Sequence, residues 1–298
     1  MTKRMKNLSK ENTGNLISDF AKAGLTIALV VLVVSPVAAQ GESTEGLNLP
    51  VWVQAGLWGL FAGAASLVGA AIGYAIQLPQ RVIAGIMAFG SGVLISALSF
   101  ELMETAYNQG GFMSAAVGFF AGALLYSGIN MLLSHWGARH RKRSSGQPSE
   151  DEKEGSGTAI AVGATLDDIP ESMAIGLTML VGGTVSMSMV VAIFISNIPE
   201  GLSSSAGMRQ AGRSAIYVFG VWIAIAIVTG LSSLVGYSMF VDLSVEVQAA
   251  TTALAAGAIL SMISETMIPE AFEGTHSWAG LITCAGFITA FAISMLGG

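Results

Sequence analysis

The sequence predicts an all-α, polytopic membrane protein, and three observations carry that expectation. Hydrophobic residues make up 53% of the 298 positions and charged residues only 11%, against roughly 25% charged in an ordinary soluble domain. Apolar stretches of about 20 residues, the length that crosses the hydrocarbon as a helix, recur over 51–76, 82–104, 113–135, 158–181, 186–207, 215–240, 247–270 and 277–296. The 13 Lys and Arg residues are confined to a few connecting segments, which is the asymmetry that orients helices in a bilayer.

The N-terminal segment, 1–40, carries a basic start, an apolar stretch from Leu25 to Val34 and then Ser35-Pro36-Val37-Ala38-Ala39-Gln40. Short apolar length and small residues near Ala39 fit a cleavable signal peptide; an extra helix from Ala21 to Ala39 fits equally. Three core helices are expected over 51–135, with Gly59, Gly63, Gly69 and Gly73 in the first and Gly118 and Gly122 in the third allowing close helix contact. Residues 136–157 read basic, then Ser/Gly/Pro, then acidic, from Arg139-His140-Arg141-Lys142-Arg143 to Glu150-Asp151-Glu152-Lys153-Glu154; this is the composition of a solvated, flexible linker. Helices four and five occupy 158–207, and the last three 215–296. With the N-terminus inside, every Lys and Arg falls on the cytoplasmic side, so the loop 136–157 is expected there and the C-terminus outside. A net charge of −6 argues against nucleic acid as partner, and the single Cys284 leaves neither a disulfide nor a cysteine metal site within one chain.

Helices four and five repeat one phrase. Leu166-Asp167-Asp168-Ile169-Pro170-Glu171-Ser172 in the fourth is matched by Ile195-Ser196-Asn197-Ile198-Pro199-Glu200-Gly201 in the fifth. Acids at membrane depth are costly and mark function by default. A proline inside a helix removes a hydrogen bond, here from the carbonyls of Leu166 and Ile195. Residues three and four apart share a helix face, so Asp167 and Asp168 reach toward Glu171, and Asn197 toward Glu200. Four carboxylates in a low dielectric need protons or a cation to compensate them; packing kinks with neutral acids are the bland alternative. A weaker repeat links helices two and seven: Gly92, Ser96, Ser99 and Ala106 recur as Gly257, Ser261, Ser264 and Ala271, with Glu101 and Glu104 in one, Glu265 and Glu270 in the other. Glu101, Glu265, Ser99, Ser264 and Ser196 are therefore candidate pathway residues, and Asp167, Asp168, Glu171, Asn197 and Glu200 candidate metal ligands. Glu104 and Glu270 fit headgroup-level positions as well as pathway ones. The chain lacks G-x-x-x-x-G-K-[ST] for nucleotide use, and H-E-x-x-H and G-x-S-x-G for hydrolysis.

These paired motifs resemble the ZIP family of divalent-metal transporters, whose fourth and fifth core helices carry His-Asn-x-Pro-Glu-Gly phrases; the match covers residues 51 to 298. The resemblance implies eight core helices in a 3+2+3 inverted-repeat arrangement, a multi-pass place in the bacterial inner membrane, and import of a divalent metal toward the cytoplasm, often by a homodimer. The metal is substrate rather than cofactor, and no cofactor is implied. Asp167 and Ser196 stand where the family has His, and Asp168 where Asn is common, while Asn197, Glu171 and Glu200 match. Oxygen-only ligation moves preference toward harder ions such as Mn²⁺, Fe²⁺ or Mg²⁺, although carboxylates also bind zinc. The competing functions are a channel-like permease, a metal sensor without transport and an intramembrane hydrolase.

Overall fold

A computed structural model describes residues 49–297 apart from Gly137, Glu154 and Gly182; the expected signal peptide or extra helix over 1–40 lies outside them. Every regular element among the described residues is helical. They are α1 (Val51–Ala75), α2 (Gln80–Ala97), α3 (Glu104–His135), α4 (Ser156–Thr178), α5 (Met187–Gln210), α6 (Ala215–Ser238), α7 (Val245–Met262), α8 (Ile268–Thr275) and α9 (Ala279–Gly297). Their starts follow local chemistry. Ser186 and Ser214 cap α5 and α6 by accepting from the backbone N–H of Met189 and Tyr217 at 3.2 Å, which satisfies one of the four orphan donors at each helix start.

The protein is a polytopic all-α membrane protein. Five helical runs among the described residues are long and apolar enough to cross a bilayer: Val51–Ala75, Gln80–His135, Met187–Gln210, Ala215–Ser238 and Val245–Met295. With Asp167, Asp168 and Glu171 in its length, α4 falls outside that set. Two of the runs contain bends. Gly111 interrupts α3 with φ 70°, a left-handed value that glycine adopts without steric cost, and His276 turns the chain between α8 and α9 with φ 47°. Single π-helical turns join α2 to α3 at Leu98–Met103 and α7 to α8 at Ile263–Met267; Glu101 sits in one and Glu265 in the other. Such turns concentrate at functional positions.

Helix packing comes in matched pairs. α3 lies along α7 as α9 lies along α2; α1 lies along α5 as α6 lies along α4; α2 meets α5 as α7 meets α4; and α1 meets α6 directly. Small residues make these contacts close. A Cβ on Gly118 or Gly122 of α3 would lie 2.0 or 1.9 Å from the carbonyl oxygens of Ala250 or Leu254 in α7, and one on Gly92 of α2 would lie 1.9 Å from that of Thr283 in α9. The reading of Gly59, Gly63, Gly69, Gly73, Gly118 and Gly122 as contact positions holds, since each faces a neighbouring helix at this range. The outer surface of α3 is apolar, with Phe112, Val117, Phe120 and Leu124 well exposed. A Gly257→Ala change places a methyl 1.9 Å from the Phe119 carbonyl; backbone cannot yield as a side chain can, so we expect a loss of about 1–3 kcal/mol or more, read as a lower unfolding temperature in detergent.

The segment between α3 and α4 differs from the solvated linker its composition predicts. Arg141 and Lys142 are buried, as are Ser144 and Gln147. The physical reason is charge: buried carboxylates on the neighbouring helices hold the two cations inside, as the site geometry makes plain.

Candidate functional site

The motif residues lie where α4 and α5 are enclosed by α1, α2 and α7. Asp167, Asp168, Glu171, Ser196, Asn197 and Glu200 are each no more than 3% exposed, and both helices run on through Pro170 and Pro199. Gly90 of α2 makes room beside Pro199, whose ring carbon would lie 2.9 Å from a Cβ there. The two motifs meet at Ser196 and Glu171, 3.5 Å between Oγ and Oε2. Asn197 donates its amide N–H to the carbonyl of Ala62 in α1 at 3.0 Å, which leaves its Oδ1 for another partner.

Asp167 stands apart from the rest. Arg141 grips it with two parallel bonds, Nε to Oδ2 at 2.8 Å and Nη2 to Oδ1 at 2.7 Å, the bidentate fork that makes guanidinium–carboxylate pairs strong. Tyr126 of α3 donates to the same Oδ1 at 2.5 Å and accepts from Arg141 Nη2 at 2.8 Å, and Arg141 Nη1 reaches the Ala138 carbonyl at 3.1 Å. Lys142 turns its ammonium onto Glu200 at 2.7 Å and Asp167 at 3.4 Å, with the sulfur of Met262 at 2.9 Å. Asp168 Oδ2, Glu171 Oε1 and Asn197 Oδ1 are buried without a hydrogen-bond partner among the described residues. A buried acceptor left unpaired costs about 1–3 kcal/mol, so three together leave these helices with unmet acceptor capacity.

Among the described residues, no three His, Cys, Asp or Glu side chains converge to hold a metal as they stand. The arrangement explains this: Arg141 takes both oxygens of Asp167, and Lys142 takes Glu200. Tyr126, Arg141 and Lys142 are site residues that sequence reasoning missed. The signal was present in the charge balance. Arg139, Arg141, Lys142 and Arg143 crowd together in one segment of the same chain as the four acids, and cations within reach of buried acids compensate them before any outside ion is invoked.

Anchors hold this segment from several helices. Ser144 donates through its backbone N–H and its hydroxyl to Glu270 of α8, at 2.8 and 2.6 Å. Glu270 is thus buried, although its sequence position also fits a headgroup-level acid. Ser203 of α5 donates to the Lys142 carbonyl at 2.7 Å, and Gln147 donates to the Arg143 and Ser204 carbonyls at 2.8 and 3.1 Å. At the acidic end, Arg213 meets Glu150 at 2.5 Å. That guanidinium, then the backbone N–H groups of Gly157 and Gly155, hold the Glu150 carboxyl below its ordinary value. Burial and then the nearby Arg143, Arg139 and Lys153 push the His140 imidazole down.

The pathway candidates divide. Glu101 accepts from Ser186, Ser188 and Ser294 at 2.8, 2.5 and 2.7 Å and lines a small cavity with Ser96, Phe100, Ala192 and Ala290. Glu265 accepts from Asn130 at 2.5 Å and from Ser127. Ser99 and Ser264 donate their hydroxyls back to the carbonyls one helical turn earlier, Ile95 and Leu260, which leaves the oxygen of each as an acceptor.

Fold and site together define a multi-pass helical membrane protein with a buried, acid-rich centre at the meeting of two Pro-Glu helices. No family model matches the chain. It is similar to the zinc transporters ZupT of Salmonella heidelberg, Salmonella newport and Salmonella typhimurium, 30% identical over 123 residues in each case. That stretch is 40% of this chain and 48% of each relative, so the chain spans about half the length of the curated relatives it matches. The resemblance to the ZIP family is borne out by these relatives over that part of the sequence.

Proposed function

We propose that the protein is a secondary carrier of a divalent transition metal, of the zinc, manganese or iron class, working toward the cytoplasm by alternating access in a bacterial inner membrane. The observation that carries this reading is that Asp168, Glu171 and Asn197 each bury an oxygen with no hydrogen-bond partner among the described residues, on two proline-bearing helices whose motifs meet at Ser196 and Glu171. Broken or proline-bearing helices at the bilayer midplane are a recurring way for transporters to present backbone and side-chain oxygens to an ion. The names of the ZupT relatives support a metal as substrate, and they favour a carrier over a hydrolase.

The matched packing supports an eight-pass, 3+2+3 arrangement. Exchanging α1, α2 and α3 with α6, α7 and α9, and α4 with α5, returns the same set of helix contacts, as an inverted repeat requires. A 56-residue run from Gln80 to His135 would be about 84 Å long if straight, far beyond a hydrocarbon thickness of about 30 Å; the bend at Gly111 divides it into two passes. In this topology the Arg141 segment and the C-terminus lie on opposite sides.

Of the five ligands expected from sequence, Asp168, Glu171, Asn197 and Glu200 have oxygens to give, whereas Asp167 is engaged by Arg141. The selectivity experiment therefore belongs at Ser196. Its Oγ faces Glu171, and Ser196→His adds an imidazole there; the Zn²⁺/Mn²⁺ uptake ratio is expected to rise about tenfold, equivalent to roughly 1.4 kcal/mol of added ligand preference. An unchanged ratio would count against ligand hardness as the selector. Uptake into proteoliposomes across Zn²⁺, Mn²⁺, Fe²⁺, Cd²⁺, Co²⁺ and Mg²⁺, with Glu171→Ala beside the wild type, tests the carrier itself. A metal sensor without transport is the second reading, favoured by the two internal cations already in the centre; it would bind metal and pass none.

A further inference from the structure

We infer that Lys142 is a tethered stand-in for the transported cation: it compensates the acids between metal loads and has to leave before metal binds. The inference rests on the metal-carrier reading above. Its ammonium lies 2.7 Å from Glu200 and 3.4 Å from Asp167, on a side chain 4% exposed, while on the same two helices Asp168 Oδ2, Glu171 Oε1 and Asn197 Oδ1 are buried with no hydrogen-bond partner among the described residues. With Arg141 committed to Asp167, Lys142 is, among the described residues, the one further positive charge set against the remaining acids.

Arg141 and Lys142 divide the work according to their chemistry. Arg141 is locked by four hydrogen bonds to Asp167, Tyr126 and the Ala138 carbonyl; a planar guanidinium in a bidentate fork is a fixed structural partner. Lys142 holds its carboxylates through a point charge on a flexible four-carbon stem, with the Met262 sulfur as a further contact. It is the cation of the two that can withdraw while the fold persists.

The backbone around Lys142 is built to hold this seat and to release it as a strap. Ser203 donates to its carbonyl, Ser144 is held by Glu270, and Gln147 by the Arg143 and Ser204 carbonyls. These anchors lie on α5 and α8 and in the strap itself, and the Glu150–Arg213 pair closes its far end. A divalent ion replacing one ammonium raises the charge of the centre by one, so loading is favoured electrostatically once Lys142 has gone, and its return assists release. Metal and Lys142 compete for the same Glu200 oxygens, and occupancy of one excludes the other.

The test is equilibrium binding of Mn²⁺ and Zn²⁺ to the purified full-length protein in detergent, wild type against Lys142→Gln and Lys142→Arg. Removal of the competing charge is expected to tighten metal binding by about tenfold or more in Lys142→Gln, the factor a modest lost competitor supplies, with no tightening in Lys142→Arg. A second measurement keeps the lysine. In a Cys284→Ser background, Ser144→Cys reports strap release through maleimide labelling, which is expected to be slow without metal and at least severalfold faster at saturating metal. Equal affinity in wild type and Lys142→Gln, with labelling indifferent to metal, would overturn the stand-in role and leave the carrier reading intact. Absence of metal binding in all three proteins would remove the carrier reading, and this inference with it.

Discussion

Uptake of a divalent metal is expected to fall to background in Glu171→Ala and in Glu200→Ala, while both proteins still insert and fold. Both carboxylates are buried at the contact of α4 and α5, and Glu171 presents an oxygen with no partner among the described residues. Removing a group that merely orients a metal ligand typically costs about 10–100-fold in affinity or activity; loss of a direct ligand is expected at or beyond the upper end. Folding should survive in Glu171→Ala because the change deletes an uncompensated buried acid rather than breaking a pair. Glu200→Ala leaves Lys142 Nζ still 3.4 Å from Asp167, so the ammonium keeps a counter-ion. Proteoliposome flux with a folded-protein control, such as unchanged elution on size exclusion, reads both effects. Normal flux in either variant removes the proposed centre.

Arg141→Ala is expected to produce the largest loss of stability of any single change in the connecting segment. It leaves Asp167 fully buried with only Tyr126 and a more distant Lys142, and breaking a buried ion pair from one side costs about 3–5 kcal/mol. Against a typical total of about 5–15 kcal/mol, that depletes the folded population. The double variant Arg141→Ala/Asp167→Asn should recover much of the loss, because it removes the stranded charge. Thermal unfolding in detergent measures all three proteins; an unfolding temperature for Arg141→Ala equal to wild type would mean that Asp167 is not held by this pair. The same geometry alters the expectation for Asp167 itself. Substitution there should act on folding before it acts on metal preference, since both of its oxygens are already engaged.

Much of the candidate site was legible in the chain because its signals are local. A pair of Pro-Glu phrases in consecutive apolar stretches sets both the helix faces and the depth of Glu171, Asn197 and Glu200, since helical spacing alone puts residues three and four apart together. At Ser99 and Ser264 spacing alone does not say where the hydroxyl proton goes. Their repeat at a fixed offset was real, yet a hydroxyl in a helix can bond its own i−4 carbonyl, and both do so. Glu101 accepts from serines at the start of α5 and on α9, and the exposed Glu265 from Ser127 and Asn130 of α3, contacts that no helical period foretells.

The sequence by itself determined the all-α membrane class, the helices that carry the acids, and the small residues that let helices approach, because length, hydropathy and helical period act over a few residues. Only the tertiary structure decided which cations meet those acids. Arg141 and Lys142 are separated by many turns of helix and linker from their partners Asp167 and Glu200, in a segment whose composition reads as solvated. Their burial follows from a balance no local rule contains: two cations leave water only because buried carboxylates on two other helices are already waiting, and ions in a low dielectric are held by their partners or not at all.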